Sequence, residues 1–296
     1  MGYKFPIPPG YSSEPIWTGN GFLIGSEKLP VLRYSECDSG WDASLTEFHE
    51  KEADDGSHYI DSASRCHACS DLKRIVQDSN KVILEIGSSS GYLLREIKRS
   101  CPESFLIGSD CIPEPLENIA KKISNIPLIQ FDLVNCPLPD SSVDVIIALN
   151  VLEHIKDDED ALKQIYRILK PGGHAIIEVP ANQDLYDFYD EQLKHFRRYS
   201  LQDLKALTEK TGFLVVRASH LGFFIYPGFK YMKVQNRQKN TLNDVQKQTS
   251  MKKQIQLGGP FVNHLLYLLM QTELLLGNFF QYPFGIRCLL LLKKGD

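Results

Sequence analysis

The chain has 296 residues, 43% of them hydrophobic and 24% charged, and a formal net charge of −4. That length builds one large domain with an elaboration rather than two equal domains, and the acidic balance makes nucleic acid an unfavoured partner. Seven scattered cysteines point to reduced thiols, and no signal core or bilayer-length apolar run is present, so the expectation is a cytoplasmic protein, at most peripheral at a membrane.

Residues 1 to about 45 are rich in Pro, Gly and Ser, carry Trp17 and Trp41, and show no sustained period. They read as an irregular arm that packs its aromatics on the main domain. Ser44 to Val76 is helical in character and ends in Leu72, Ile75 and Val76. Within it, Cys66-His67-Ala68-Cys69 is either half a zinc site or ordinary helix. Zinc needs about four ligands and no second pair follows at finger spacing, so no metal is expected.

Lys81 to Arg99, KVILEIGSSSGYLLREIKR, reads as a buried strand, a small-residue turn from Gly87 to Gly91, and a helix with Leu93, Leu94 and Ile97 on one face. A turn of this kind lets backbone N–H groups and a helix N-terminus approach a ligand, and Glu85 at the strand end can take a cationic group. The spacing is E-x-G-x-x-x-G, which disfavours a dinucleotide pyrophosphate cradle. The next strand, Ser104 to Asp110, also ends in an acid, placed where a carboxylate suits a ribose diol. Pro113 and Pro115 open a helix, Leu128 to Phe131 is the third strand, and Val145 to Leu149 the fourth. Such alternation with apolar strands calls for a parallel sheet covered on both faces, with ligands at the strands' carboxyl ends. Glu85, Asp110, Asp132 and Asn150 all fall at such ends.

A helix stripe, Ala161, Leu162, Ile165, Ile168 and Leu169, stops at Pro171-Gly172-Gly173 and turns into the strand Ala175 to Val179. The stretch from Asp184 to Ser200 packs aromatics, acids and a His-Arg-Arg-Tyr cluster into one loop, as an acceptor pocket requires. His195 is a candidate base or orienting group there; the alternative is that His195 and Tyr199 tie down the loop. Ser200 and Asp203 cap a helix, and Phe213 to Arg217 is the sixth strand. From His220 to Phe284 runs a long insertion. Between Lys230 and Lys253 it holds seven Lys or Arg opposed only by Asp244, read as a solvated loop able to attract an anionic surface. A helix is expected over Phe261 to Phe280 with Glu273 on its apolar side, either a core helix whose Glu273 pairs with an arginine such as Arg287, or a hydrophobic entry for a lipid-like or polyprenyl acceptor or a membrane-facing lid; a last strand is expected over Ile286 to Leu292.

The loop at Glu85 to Gly91, together with FDLVNCPLPDSSVDVIIALNVLEHIKDDEDALKQIYRILKPGGHAIIEVP, resembles the class I S-adenosylmethionine-dependent methyltransferases of the ubiquinone-biosynthesis and small-molecule type. The likeness spans about Val82 to Phe213; the family's commoner loop carries a glycine where this chain has Ser89. It implies a Rossmann-like α/β fold, a seven-stranded mostly parallel sheet with helices on both faces and an antiparallel last strand. It implies S-adenosyl-L-methionine as cofactor, held by Glu85, Gly87, Ser88, Ser89, Gly91, Tyr92, Asp110, Cys111, Asp132, Leu133, Asn150 and Val151. Tyr186, Tyr189, Arg198 and Tyr199 are then the expected acceptor contacts, and His195 and His154 the candidate catalytic groups; Glu153-His154 is alternatively only a turn-shaping pair. The expected organisation is an arm and helical cap over 1–76, a core over 77–219, a lid-like insertion over 220–285 that could touch a membrane through 228–280, and a final strand over 286–296. The expected reaction is methyl transfer to a small-molecule, glycan or lipid-like acceptor, the alternative a cofactor-binding partner module without turnover.

Overall fold

The computed structural model describes residues 3–35, 58–77, 80–237 and 259–296; Trp41, the residues before position 58 in the expected helical segment, and most of the basic stretch lie outside them. In chain order the elements are β1 (Ile16–Trp17), β2 (Phe22–Ile24), β3 (Glu27–Leu29), β4 (Leu32–Arg33), α1 (Tyr59–Val76), β5 (Val82–Ile86), α2 (Tyr92–Ser100), β6 (Phe105–Asp110), α3 (Pro113–Lys122), β7 (Leu128–Gln130), β8 (Val143–Leu149), α4 (Asp158–Ile168), β9 (Leu169–Pro180), α5 (Phe188–Gln192), α6 (Leu201–Lys210), β10 (Phe213–Leu221), α7 (Tyr226–Arg237), α8 (Gly259–Leu276) and β11 (Arg287–Lys294).

The main sheet runs in the order β10-β11-β9-β8-β5-β6-β7-β4. The seven expected strands are there, and β11 runs antiparallel to both β9 and β10, set between them with Leu290 opposite Ile177 and Ala218. An eighth strand, β4, adds in parallel to β7 at the far edge. It comes from the N-terminal arm, which is more regular than its sequence suggested: β1, β2 and β3 form a small antiparallel sheet, and Phe5 and Phe22 are buried against the core. Strands of two or three residues are too short to show a period, which is why the sequence hid them.

The sheet's strands are apolar because both faces are covered. Ile83, Leu84, Val145, Ile146 and Ile147 are fully buried, and each such side chain contributes about 1.5–3 kcal/mol relative to exposure. Leu93, Leu94 and Ile97 of α2 and Leu116 and Ile119 of α3 cover one face; Ala161, Leu162, Ile165 and Ile168 of α4 cover the other. From β5 the chain winds outward through β6 and β7, then crosses back to β8 and β9 on the opposite side of β5. The sheet therefore reverses direction between β5 and β8, and a crevice opens beyond their carboxyl ends.

Candidate functional site

A cavity of about 720 Å³ fills that crevice. Its floor is made by the tips of four parallel strands: Glu85 and Ile86 from β5, Ser109 and Asp110 from β6, Phe131 to Leu133 after β7, and Leu149 to Val151 at the end of β8. The turn after β5 closes tightly. Gly87 has φ +78°, and a Cβ there would stand 2.7 Å from Val151 Cγ2, so only glycine fits. Ser89 also has positive φ, at 43°, as does Asn150 at 54°. Strained backbone of this sort at non-glycine positions gathers where geometry is over-determined, as at ligand sites.

The acids divide by their partners. Asp110 accepts the backbone N–H of Ser89 at 2.9 Å on Oδ2 and that of Ile112 at 3.0 Å on Oδ1, leaving lone pairs on both oxygens. Burial raises its pKa and these backbone donors restrain the rise. Asp132 accepts from Val134 N at 3.1 Å and Asn135 Nδ2 at 3.4 Å. Glu85 is almost wholly enclosed, and its Oε2 has no hydrogen-bond partner. Burial pushes its pKa well above the usual value, against the opposing pull of the Ser88 side chain and the Arg65 charge. A buried carboxyl oxygen left without a donor in a cavity wall calls for a cationic or hydrogen-bonding ligand group.

Across the cavity stands a buried charge cluster. Asp190 of α5 accepts from Arg198 Nε at 2.7 Å, from Lys233 Nζ at 3.0 Å and bonds His195 Nδ1 at 2.9 Å. Lys233 also reaches Asp187 at 2.7 Å, and Asn236 donates to Asp187 at 2.7 Å. Burial alone would raise the Asp190 pKa, but the His195 ring, Arg198 and Lys233 outweigh it and hold the carboxyl well below its ordinary range. Since an ionised carboxylate only accepts, His195 carries its proton on Nδ1 and keeps a lone pair on Nε2. Burial lowers the pKa of His195 against the pull of Asp190, so a neutral imidazole suits this site.

Beside it, the rings of His154 and His195 stand edge to face, 4.7 Å apart. Glu153 completes a group whose candidate ligand atoms lie within 4.8 Å of one another, the only such three-residue group among the described residues. Glu153 is fully buried with neither carboxyl oxygen hydrogen-bonded, and burial pushes its pKa up to about 8. The sequence reading weighed His154 and His195 separately; the fold brings them together with Glu153.

Of the expected cofactor residues, all but Gly91 line the cavity, and of the expected acceptor residues Tyr189 and Arg198 do. Gly91 instead sits at the head of α2 with φ +73°, where a Cβ would meet Ile119 at 3.0 Å. Tyr186 bonds the carbonyl of His195 at 2.8 Å, and Tyr199 donates to Asp158 at 2.8 Å and Leu152 O at 3.2 Å, so both brace the loop rather than face the cavity. Cys66 and Cys69 belong to α1, and burial pushes the Cys69 thiol up to about 12.

Three features escaped the sequence reading. Glu178, at the tip of β9, accepts from Ser64 Oγ at 2.7 Å and Arg287 Nη1 at 2.6 Å, while Arg287 Nη2 reaches Asp61 at 2.7 Å. Its place at a strand's carboxyl end was a signal available in the sequence. Arg287 is therefore not the partner of Glu273, which is buried on the inner side of α8 and accepts the backbone N–H groups of Gly222 at 2.6 Å and Phe224 at 3.2 Å. Lys233, expected in a solvated basic loop, is 3% exposed and forms part of the site. Its burial rests on the turn of α7 that carries it, which charge patterning alone does not reveal.

The profile of the methyltransferase domain family matches residues 60–218, more than half of the chain. The uncharacterized methyltransferase YdaC of Bacillus subtilis is 33% identical over 126 residues, 42% of this chain and 68% of that protein. A Mycolicibacterium smegmatis protein described as a probable S-adenosylmethionine-dependent methyltransferase is 28% identical over 138 residues, 45% of this chain and about half, 52%, of its own length. Among solved structures, a Galdieria sulphuraria protein described as a candidate sarcosine dimethylglycine methyltransferase superposes with a TM-score of 0.58 at 16% identity, covering 86% of this chain and 99% of that one. At that identity the likeness is one of fold.

Proposed function

The chain belongs to the methyltransferase domain family, and from that premise we propose that it transfers the methyl group of S-adenosylmethionine to a nucleophile on a small-molecule, glycan or lipid-like acceptor. The observation that carries this reading is the convergence, on one cavity, of strand-tip acids on one side and the Asp190–His195 pair on the other. When bound, the cofactor supplies a methyl group already activated by its sulfonium.

The residues fit that ligand. The partnerless oxygen of Glu85 suits its ammonium group, and the remaining lone pairs of Asp110 suit two ribose hydroxyls. Gly87, Ser88 and Ser89 give the ligand close access to backbone, with Tyr92 and Cys111 beside them. Asp132 and Leu133 border the adenine in this reading, and Asn150 with Val151 the methionine part. The chain's remaining task is alignment and exclusion of water, since the leaving group needs no protonation. Tyr189 and Arg198 orient the acceptor, and His195 Nε2 takes a proton from it where the nucleophile is protonated. Glu153 and His154 shape the wall beside that imidazole. Because the methyl is already activated, no metal is assigned to these three residues.

Calorimetry with S-adenosylmethionine, followed by mass spectrometry of extracts incubated with the labelled cofactor, tests the reading. Cofactor binding together with a labelled product and S-adenosylhomocysteine is expected. His195→Ala should lower kcat about 100-fold while leaving the cofactor Kd unchanged. Binding without product in any extract would leave a cofactor-binding module without turnover. Loss of transfer on chelation, restored by a divalent cation, would reassign Glu153, His154 and His195 as ligands.

A further inference from the structure

The cavity is polar at its floor and apolar along the wall that α7 and α8 supply. The strand tips carry the acids assigned above to the cofactor, whereas α7 gives Phe229 and Met232 to the same space and α8 gives Val262 and Leu266. Lys233 is the one charged residue that either helix adds to the lining among the described residues. Phe229, Met232 and Leu266 are half-buried and Val262 is 38% exposed, so apolar surface here is still open. Apolar surface left uncovered inside a site gains free energy when a ligand covers it.

The charges that border the cavity are already matched. Four lysine and arginine side chains line it among the described residues, and each has a carboxylate: Arg65 Nε lies 2.7 Å from Glu96, Arg198 Nε 2.7 Å from Asp190, Lys233 Nζ 2.7 Å from Asp187 and Arg287 Nη1 2.6 Å from Glu178. A phosphate or carboxylate on the acceptor would give up its hydration and find each of these cations already neutralised. A sugar fares no better against α7 and α8, because Phe229, Met232, Val262 and Leu266 return none of the hydrogen bonds its hydroxyls lose on leaving water.

We propose that the acceptor is an uncharged alcohol or phenol with an apolar body, its hydroxyl at His195 and its body lying against Phe229, Met232, Val262 and Leu266. This rests on the methyl-transfer reading and narrows its acceptor to one class. An amine would enter as a cation at neutral pH, whereas a hydroxyl enters uncharged and needs the base that His195 Nε2 provides. The acceptor oxygen gains the methyl carbon as the carbon–sulfur bond breaks and the thioether keeps the bonding electrons, while the hydroxyl proton passes to His195 Nε2. The positive charge then ends on the imidazole, whose Nδ1 lies 2.9 Å from Asp190.

Calorimetry on the full-length protein saturated with S-adenosylhomocysteine tests the class with three probes that share one hydroxyl: phenol, para-propylphenol and the anionic para-hydroxyphenylpropionate. The propyl compound should bind about tenfold or more tighter than phenol, since each methylene covered adds its share, and the anion should bind more weakly than the propyl compound. Leu266→Asp should remove the gain from the propyl group while the S-adenosylhomocysteine Kd holds. Val262→Asp, at an exposed position that folding does not depend on, repeats the test should the first variant not fold. The proposal is overturned if the anion binds as tightly as the propyl compound, if the propyl group brings no gain, or if the gain survives in the folded variants. A protein that binds neither S-adenosylmethionine nor S-adenosylhomocysteine would overturn the methyl-transfer reading as well, whereas the wrong order of probes in a protein that binds them overturns the acceptor class alone.

Discussion

At the scale of single residues, the site is built from groups held in states they would not choose in water. Ser89 occupies left-handed backbone that glycine adopts freely, which gives a physical reason for the glycine common at this place in the family. Ser89→Gly should therefore leave stability level or raise it by about 0.5–1 kcal/mol, the relieved strain being partly offset by a more flexible unfolded chain; urea midpoints would show a clear loss if the serine were instead a needed contact. Glu153 carries the opposite sort of strain. Its folded-state pKa near 8 lies above the ordinary 4.5, so between those values the folded chain holds a proton that the unfolded chain has released. Stability then falls as pH rises through that window, by roughly 3 kcal/mol between pH 5 and 7.5. Denaturation of Glu153→Gln across the same range should lack this slope; an unchanged slope would mean the carboxyl is ionised and paired at neutral pH. The strand-tip residues Glu85, Asp110, Asp132 and Asn150 were legible because their positions follow from local pattern alone. Glu178 shared that pattern but was read only as strand, and Ser64 and Arg287, 223 residues apart, meet it only through tertiary packing.

At the scale of elements, what separates the readable from the unreadable is whether an element's environment is encoded within it. The stripes of α2 and α4 and the apolar runs of β5 and β8 announce their burial, and the structure buries them. Helix α7 does not: from Lys230 onward its sequence reads as a solvated basic stretch, yet Lys233 and Asn236 are its buried anchors, docked on Asp187 and Asp190 of the α5 segment. Two carboxylates, a lysine and Arg198 balance there in a space with little water, so removing one member leaves an uncompensated charge. Lys233→Ala should cost about 3–5 kcal/mol in urea unfolding, far more than an exposed lysine such as Lys230 would. It should also free the Asp190–His195 pair to move, so transfer activity should fall even under conditions where the variant remains folded. A Lys233→Ala protein as stable as wild type would show that α7 is not held by this cluster.

At the scale of the whole molecule, the cavity belongs to more than the sheet that the sequence made plain. The parallel core could be traced because each strand and helix repeats one pattern, whereas the closure of the site depends on chain segments far apart: Tyr59 and Ser64 of α1, Phe229 and Met232 of α7, and Val262 and Leu266 of α8 all face the same space as Glu85 and Asp110. α1 packs on both sides, since Ala63 clusters with Met270 of α8 while Ala68 and Leu72 pack on the β5–β8 side. A ligand seated at the strand tips and touching α1 must therefore stabilise the cap as well as the core. Saturating S-adenosylmethionine at 100 times its Kd should add about 2.7 kcal/mol of stability. In hydrogen exchange, amides of the Gly87–Gly91 turn and of α1 should slow together, because both border one ligand. Amides of α8 should slow less, since only Val262 and Leu266 reach the cavity from that helix. Slowing confined to the turn, with α1 unchanged, would mean that the cap and the strand tips open independently and that the crevice does not act as one site.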